Sequence, residues 1–320
     1  MMTRSDAGSM TARLCAFARA YHSGLGKSKI FDDYLAHDMI GKNDYDNIGT
    51  LIKNDGDDST VSRRYGFESL WTFELMDRFY SPVILSRAAF AERALCRFVR
   101  KNHEAQYVIC GAGLDTFAFR NMWANLRIFE LDKKSTHEHK LKRIKELHWD
   151  IPDNASYAAI DFKRGNLVDT LLKAGFDVKK PTFFSILGVA YYLSADEFES
   201  LIGQISILSD DSRCELVFDF PDDGASGNRA WLNRMARLTA SLGEPMEKGF
   251  SIDEMRSLLS RRSFSIIRHE SPDEIQQDFF LGRIDGQKAP DDVHFILARS
   301  MKTMKNKNST SKEVHEHERI

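Results

Sequence analysis

Cysteine is scarce: Cys15, Cys96, Cys110 and Cys214 are the four in 320 residues. They form no Cys-x-x-Cys pair and no metal-ligand spacing, which argues against a disulfide framework or a zinc ribbon. Long apolar runs are missing too. None approaches the ~20 residues that span a bilayer, and the opening MMTRSDAGSM lacks the apolar core of a signal peptide. Nor does one sign of charge dominate: 45 Lys+Arg face 47 Asp+Glu, for a net −2 and a pI of about 6.6. A dedicated nucleic-acid binder would be strongly basic. These absences lead to an expectation of a protein of a reducing compartment, the cytoplasm, with neither membrane nor nucleic acid as partner. With 42% apolar and 29% charged residues, the chain has enough apolar material for a full core.

The first hundred residues read as mainly helical. Residues 10–22 and 28–40 carry helical apolar spacing, and the Gly/Asn/Asp-rich stretch from Gly41 to Ser59 reads as a loop or mobile lid. Helical spacing returns from Phe67 to Phe79. Ser81 then reads as an N-cap with Pro82 just inside it, opening a helix through Val99. From Gln106 the texture changes. Short apolar runs at Tyr107–Cys110, Leu126–Leu131, Tyr157–Ile160, Thr182–Leu187 and Glu215–Phe220 look like buried parallel strands. Helical patterns at Lys133–Leu147, Leu167–Ala174 and Ala195–Leu208 lie between them, and β-like runs at Phe264–Arg268 and Val293–Ala298 close the chain. Strand–helix alternation of this kind predicts a doubly wound α/β sheet. The expected organisation is an N-terminal helical segment and lid over residues 1–104, then a ligand-binding domain over 105–300 with a helical cap at 221–262. A disordered tail over 301–320 would follow.

Chemistry concentrates at the strand ends. Val108-Ile109-Cys110 runs into Gly111-Ala112-Gly113-Leu114-Asp115-Thr116, a strand ending in Gly-x-Gly where a helix should start. Glycines let backbone approach a ligand closely, and free amides at a helix start favour negative charge; a plain tight turn would need the same residues. The next strand ends Glu130-Leu131-Asp132, which places a carboxylate where the two ribose hydroxyls of an adenosine are held. The third ends Ile160-Asp161-Phe162, where Asp161 can accept from an adenine amino group while Phe162 lies against the base. All three ends share one edge of the predicted sheet, the edge that binds ligands in open α/β folds.

A dinucleotide site prefers a third glycine, and Thr116 stands in its place. No Tyr-x-x-x-Lys occurs, so the usual proton-donor pair of short-chain dehydrogenases is missing. Asp115, inside the glycine turn, would oppose a diphosphate but suits a cation. S-adenosyl-L-methionine, with its sulfonium and ammonium groups and no phosphate, is the favoured ligand.

From about Ala18 to Ala298 the chain resembles the leucine carboxyl methyltransferase-like proteins, which include O-methyltransferases of polyketide pathways. The motifs that carry the likeness are Ile30-Phe31-Asp32-Asp33, Ser86-Arg87, and Gly111-Ala112-Gly113-Leu114-Asp115-Thr116 with Arg120. Further on come Glu130-Leu131-Asp132, Leu187-Gly188-Val189-Ala190-Tyr191-Tyr192-Leu193 and Gly243-Glu244-Pro245. The resemblance implies a class I methyltransferase fold, a seven-stranded mostly parallel sheet with the last strand antiparallel. It also implies that Arg87 pairs with the cofactor carboxylate, Gly111 and Gly113 line the methionine part, Asp132 holds the ribose, and Asp161 with Phe162 holds adenine. Leu187 stands where eukaryotic members carry a cofactor-holding Glu, a departure that reads as a subfamily mark. The implied activity is methyl transfer to a carboxylate or phenolic oxygen of a small molecule, as in secondary metabolism, by a monomer or homodimer. Arg87 and Tyr192 are the candidate acceptor contacts, with His22 a weaker one; Tyr192 reads equally well as a core aromatic. A catalytically silent protein that keeps the fold for binding or regulation is the alternative.

Overall fold

The computed structural model describes residues 8–26, 28–55, 74–209, 213–223 and 229–301; the expected tail beyond Met301 lies outside them. Three helices come first: α1 (Met10–Gly24), α2 (Ala36–Ile40) and α3 (Lys42–Asp55). A π-helical turn, Met76–Tyr80, then runs into α4 (Ser81–Lys101). The sheet is built from β1 (Gln106–Cys110), β2 (Arg127–Asp132), β3 (Ala155–Ala159), β4 (Thr182–Ile186), β5 (Cys214–Pro221), β6 (Phe264–Glu270) and β7 (Val293–Ser300). Between the strands stand α5 (Phe117–Arg120), α6 (Lys134–Glu146), α7 (Leu167–Lys173), α8 (Ala195–Leu208), α9 (Ala230–Ser241), α10 (Ile252–Arg261) and α11 (Pro272–Ile275).

The seven strands lie in the order β3-β2-β1-β4-β5-β7-β6. β1 to β5 pair in parallel, and β7 runs antiparallel to both β5 and β6. Because β1, β4 and β5 are covered on both faces, their sequences are nearly continuous apolar runs, and every residue of each is buried. The period of two sorts their side chains: Tyr107 and Ile109 face α4, while Val108 and Cys110 join the layer under α7, α8 and α10. Strand order reverses between β1 and β4, opening a crevice at their carboxyl ends.

Two stretches differ from expectation. Residues 42–55, expected as loop or lid, form α3. Its Asn, Asp and Gly residues signal a turn, yet Ile48 and Ile52 share one helical face and are buried with Phe17 and Met39 of α1 and α2. Tertiary packing overrides the local preference there; residues 56–59 of that stretch are outside the described residues. Ser81 is not an N-cap either. Its N–H donates to the Met76 carbonyl five positions back, so the helix continues through a π turn, just ahead of Pro82, which has no N–H to offer. Of the helix expected from Phe67 to Phe79, only residues 74–79 are described. Among the described residues no helix is long and apolar enough to cross a membrane.

Candidate active site

β1 delivers Gly111 into the crevice with φ +79, and Gly113 follows with φ +53, both in the left-handed region that favours glycine. A Cβ on Gly111 would run into Val189, and one on Gly113 would stand 3.1 Å from Ala12 of α1. The free amides expected at a helix start are not there. Gly111 and Ala112 N–H donate to the Leu131 carbonyl at 2.8 and 3.0 Å. Gly113 N–H donates to Asp132 Oδ2 at 2.6 Å, and the helix that follows the turn, α5, has only 4 residues. Three successive amides of the turn are thus spent on β2 and are not offered to a diphosphate.

Asp132 accepts from Gly113 and, at 2.7 Å, from the Lys133 N–H. Burial raises its pKa above the ordinary carboxylate value, against the lowering effect of those two amides. Asp115 moves the other way. Burial opposes its charge, but Arg19, Arg120 and Lys140 together hold it below the usual range, and the Phe117 N–H donates to it at 2.7 Å. Asp161, just past β3, accepts from the Lys163 N–H at 3.1 Å, and Phe162 stands beside it.

Arg87 projects from α4 toward the loop after β4. Its Nη1 donates to Asp219 Oδ2 at 2.9 Å, and its Nη2 lies 3.3 Å from Cys15 Sγ. Burial works against its charge, but Asp219, Cys15 and Tyr191 together outweigh burial and raise its pKa.

Arg87, Gly111, Gly113, Asp115, Asp132, Asp161, Phe162, Leu187 and Tyr192 all border a single cavity of about 560 Å³, a volume typical of small-molecule sites. The acidic corner lies under β2 and β3. An apolar wall comes from the helices, with Leu14 of α1, Tyr80 of the π turn, Val83 and Ile84 of α4, and Trp231 and Met235 of α9. The indole N–H of Trp231 is spent on the Phe79 carbonyl at 2.6 Å, leaving the ring as an apolar surface. Within 221–262, α9 borders this cavity, whereas α10 packs Met255, Leu258 and Leu259 into the layer below the sheet. Burial raises the Tyr192 pKa, so its hydroxyl stays protonated at neutral pH and cannot act as a base. His22 does not border the cavity: it is wholly buried, and its Nε2 accepts from the Ile30 N–H at 2.9 Å.

The roof is α1. Ser9 caps it by accepting from the Ala12 N–H, and Glu244, from the loop after α9, closes over its first turn. Glu244 accepts from the Met10 N–H at 2.8 Å and the Ser9 hydroxyl at 3.0 Å, a carboxylate at the positive end of a helix. Beneath α1, Asp33 is wholly buried between Arg19 (3.0 Å) and Arg120 (3.3 Å) and accepts from the Thr116 hydroxyl. It ties the roof to the glycine turn. Three carboxylates therefore organise the site without having been picked out as its functional residues: Asp33, Asp219 and Glu244. Asp219 leaves a trace in the sequence, a charge inside the buried run Cys214–Pro221.

The cavity suits an adenosine carrying positive charge: carboxylates at three strand ends, glycines at the close approach, and turn amides already spent on β2. The comparisons agree. Residues 12–206 match the profile of the leucine carboxyl methyltransferase family. YktD of Bacillus subtilis (strain 168), assigned by its name to the S-adenosyl-L-methionine-dependent methyltransferases, is 34% identical over 310 residues, covering 92% of this chain and 99% of YktD. Rv0830 of Mycobacterium tuberculosis (strain ATCC 25618 / H37Rv), similarly named, is 30% identical over 150 residues, 46% of this chain and 47% of that protein. In fold the chain is similar to a crystal structure of a DUF574 family protein from Streptomyces avermitilis MA-4680, with a TM-score of 0.56 and 14% identity over 93% of this chain and 99% of that one. Cavity, sheet order and relatives converge: the chain belongs to the leucine carboxyl methyltransferase family and is an S-adenosyl-L-methionine-dependent methyltransferase.

Proposed function

We propose that this enzyme methylates an oxygen, carboxylate or phenolic, on a small apolar molecule of the kind secondary metabolism produces, working in the cytoplasm as a monomer or homodimer. The observation that carries the reading is the division of one cavity into an acidic corner and an apolar aromatic wall. In the acidic corner Asp132 accepts from the ribose hydroxyls, and Asp161 with Phe162 takes adenine. Gly111 and Gly113 let the backbone approach the methionine part, with Leu187 as its apolar side. Asp115 faces the cationic end and Arg87 the carboxylate. When bound, the cofactor supplies a methyl group already activated by its sulfonium. The chain's task is then to hold an acceptor oxygen in line with it, a matter of positioning. Tyr192, held as a neutral phenol, can donate a hydrogen bond to the acceptor but not take its proton. A carboxylate arrives ionised at pH 7 and needs no base, whereas a phenol of pKa about 10 would have to give its proton to water or to a group other than Tyr192 before or during transfer. The four cysteines are free thiols, in keeping with a reducing compartment.

Titration calorimetry tests the cofactor corner. Asp132→Ala should weaken S-adenosylhomocysteine binding by about 1–3 kcal/mol; unchanged affinity would remove the ribose assignment. For the acceptor, labelled cofactor is incubated with a metabolite extract and the product treated with alkali. A methyl ester releases volatile methanol and a phenol ether keeps its label, while label on nitrogen or carbon would refute oxygen transfer.

A further inference from the structure

We propose that Asp219 is the positioning residue for the aminoacyl end of the cofactor site, acting through Arg87. The proposal rests on the reading of Arg87 as the partner of the cofactor carboxylate, and it adds what makes Arg87 fit for that task.

Asp219 sits near the end of β5, wholly buried, and does not itself border the cavity. It accepts from three parts of the chain at once. Gly188 N–H donates to its Oδ1 at 2.7 Å, while Arg87 Nη1 and the Tyr191 hydroxyl donate to its Oδ2 at 2.9 and 2.8 Å. The Arg87 side chain has only 12% of its surface exposed, so without a fixed anion its burial would be costly. With Asp219 in place, one edge of the guanidinium is locked and the rest is laid along the wall that Cys15 and Gly188 complete. Gly188 is part of the fit. Its φ is +70, and a Cβ there would stand 2.7 Å from Arg87 Nη2, so the loop after β4 can close on the guanidinium only as glycine. The Asp219 bond to Gly188 N–H holds that loop down. Arg87 is thereby held directly through one oxygen of Asp219 and indirectly through the loop that the other oxygen holds down, a preorganised donor for the carboxylate of an amino acid.

Two effects of removing Asp219 oppose each other. Losing the anchor lets Arg87 swing out of place, whereas losing a nearby negative charge should draw a carboxylate ligand in. The proposal states that the anchor dominates. Its test compares two ligands that share the nucleoside thioether: S-adenosylhomocysteine, with the amino-acid end, and 5′-methylthioadenosine, without it. In the full chain, Asp219→Asn should weaken S-adenosylhomocysteine about tenfold or more and change 5′-methylthioadenosine less than about twofold. Gly188→Ala, which crowds the guanidinium while keeping the Asp219 carboxylate in the chain, should show the same selective loss and serves if the Asp219 variant fails to fold. Equal losses for both ligands would mean a merely structural role. Unchanged or tighter S-adenosylhomocysteine binding would show that charge, not placement, governs; either result overturns the proposal. If the unaltered protein binds the two ligands equally, the Arg87 reading falls and takes this one with it. A preference that the unaltered protein shows and both variants keep overturns Asp219 alone.

Discussion

Asp33→Ala is expected to lower the unfolding free energy by about 3–5 kcal/mol, the cost of stranding buried cations by removing their shared anion. Asp33 has no solvent exposure, and Arg19 and Arg120 approach it from two sides with side chains only 11% and 9% exposed. Arg120 keeps a second anion after the change, since Glu92 accepts from its Nη2 at 2.6 Å. Arg19 keeps only weaker support, the Leu114 carbonyl at 2.9 Å and the nearby charge of Asp115. The loss should therefore fall mainly on Arg19, and Arg19→Met in the same chain should restore about half of it or more. Urea denaturation of the single and double variants reads this directly. A single variant within about 1 kcal/mol of the parent would mean that other groups already satisfy both arginines. S-adenosylhomocysteine affinity should fall alongside, because the same carboxylate fixes Thr116 and the turn that carries Gly113.

The second large effect concerns Glu130 and Lys140, an ion pair sealed under Tyr157 and joined to the Asp115 carbonyl through Lys140 at 2.6 Å. Burial pushes the Glu130 carboxyl from its ordinary 4.5 up to about 7, with Lys140 pulling the other way. The sign for stability follows. Between pH 4.5 and 7 the folded protein holds a proton that the unfolded chain has released. This group's contribution is therefore complete below 4.5 and is lost as pH rises to about 7, a fall on the order of 3 kcal/mol. Glu130→Leu, which leaves the ammonium buried and alone, should cost about 3–5 kcal/mol at neutral pH, whereas Glu130→Leu with Lys140→Met should return to within about 1 kcal/mol of the parent. The fall in stability between pH 5 and pH 8 should be smaller in the double variant than in the parent by about 2–3 kcal/mol, a difference from which the histidines and other buried carboxyls that titrate over the same interval cancel. An equal pH dependence in the two proteins would contradict the assignment.

Strands β1, β4 and β5 were legible because they are buried on both faces, and such strands must be apolar throughout; β3, expected as a buried strand, stands at the sheet edge with none of its residues fully buried. The carboxylates at the ends of β2 and β3 were legible for a related reason: a charge directly after an apolar run marks where the chain leaves the core. Helix α3 was not, since Asn and Asp speak for turns while its packing depends on Phe17 and Met39, which lie on other elements. The same limit hid Asp219, and it hid what Asp33 and Glu244 do, although both stand in the motifs of the family resemblance. Each acts through a partner far along the chain, with Ser9 and Glu244 separated by 235 positions, and periodicity reports a residue's face but never what meets it.

That separation governs how the enzyme comes into being. On the ribosome, α1 finds α2 and α3 early, since those partnerships are local, with Phe17 against Tyr45 at 4.4 Å between ring centres. Its clasp with Glu244 must wait until β1 to β5 and α9 have emerged, and the entropy of closing so long a loop is due before the contact returns anything. The N-terminal helices can thus pack on one another while the binding chamber still stands open on one side, and the roof closes only once α9 and the loop after it have arrived.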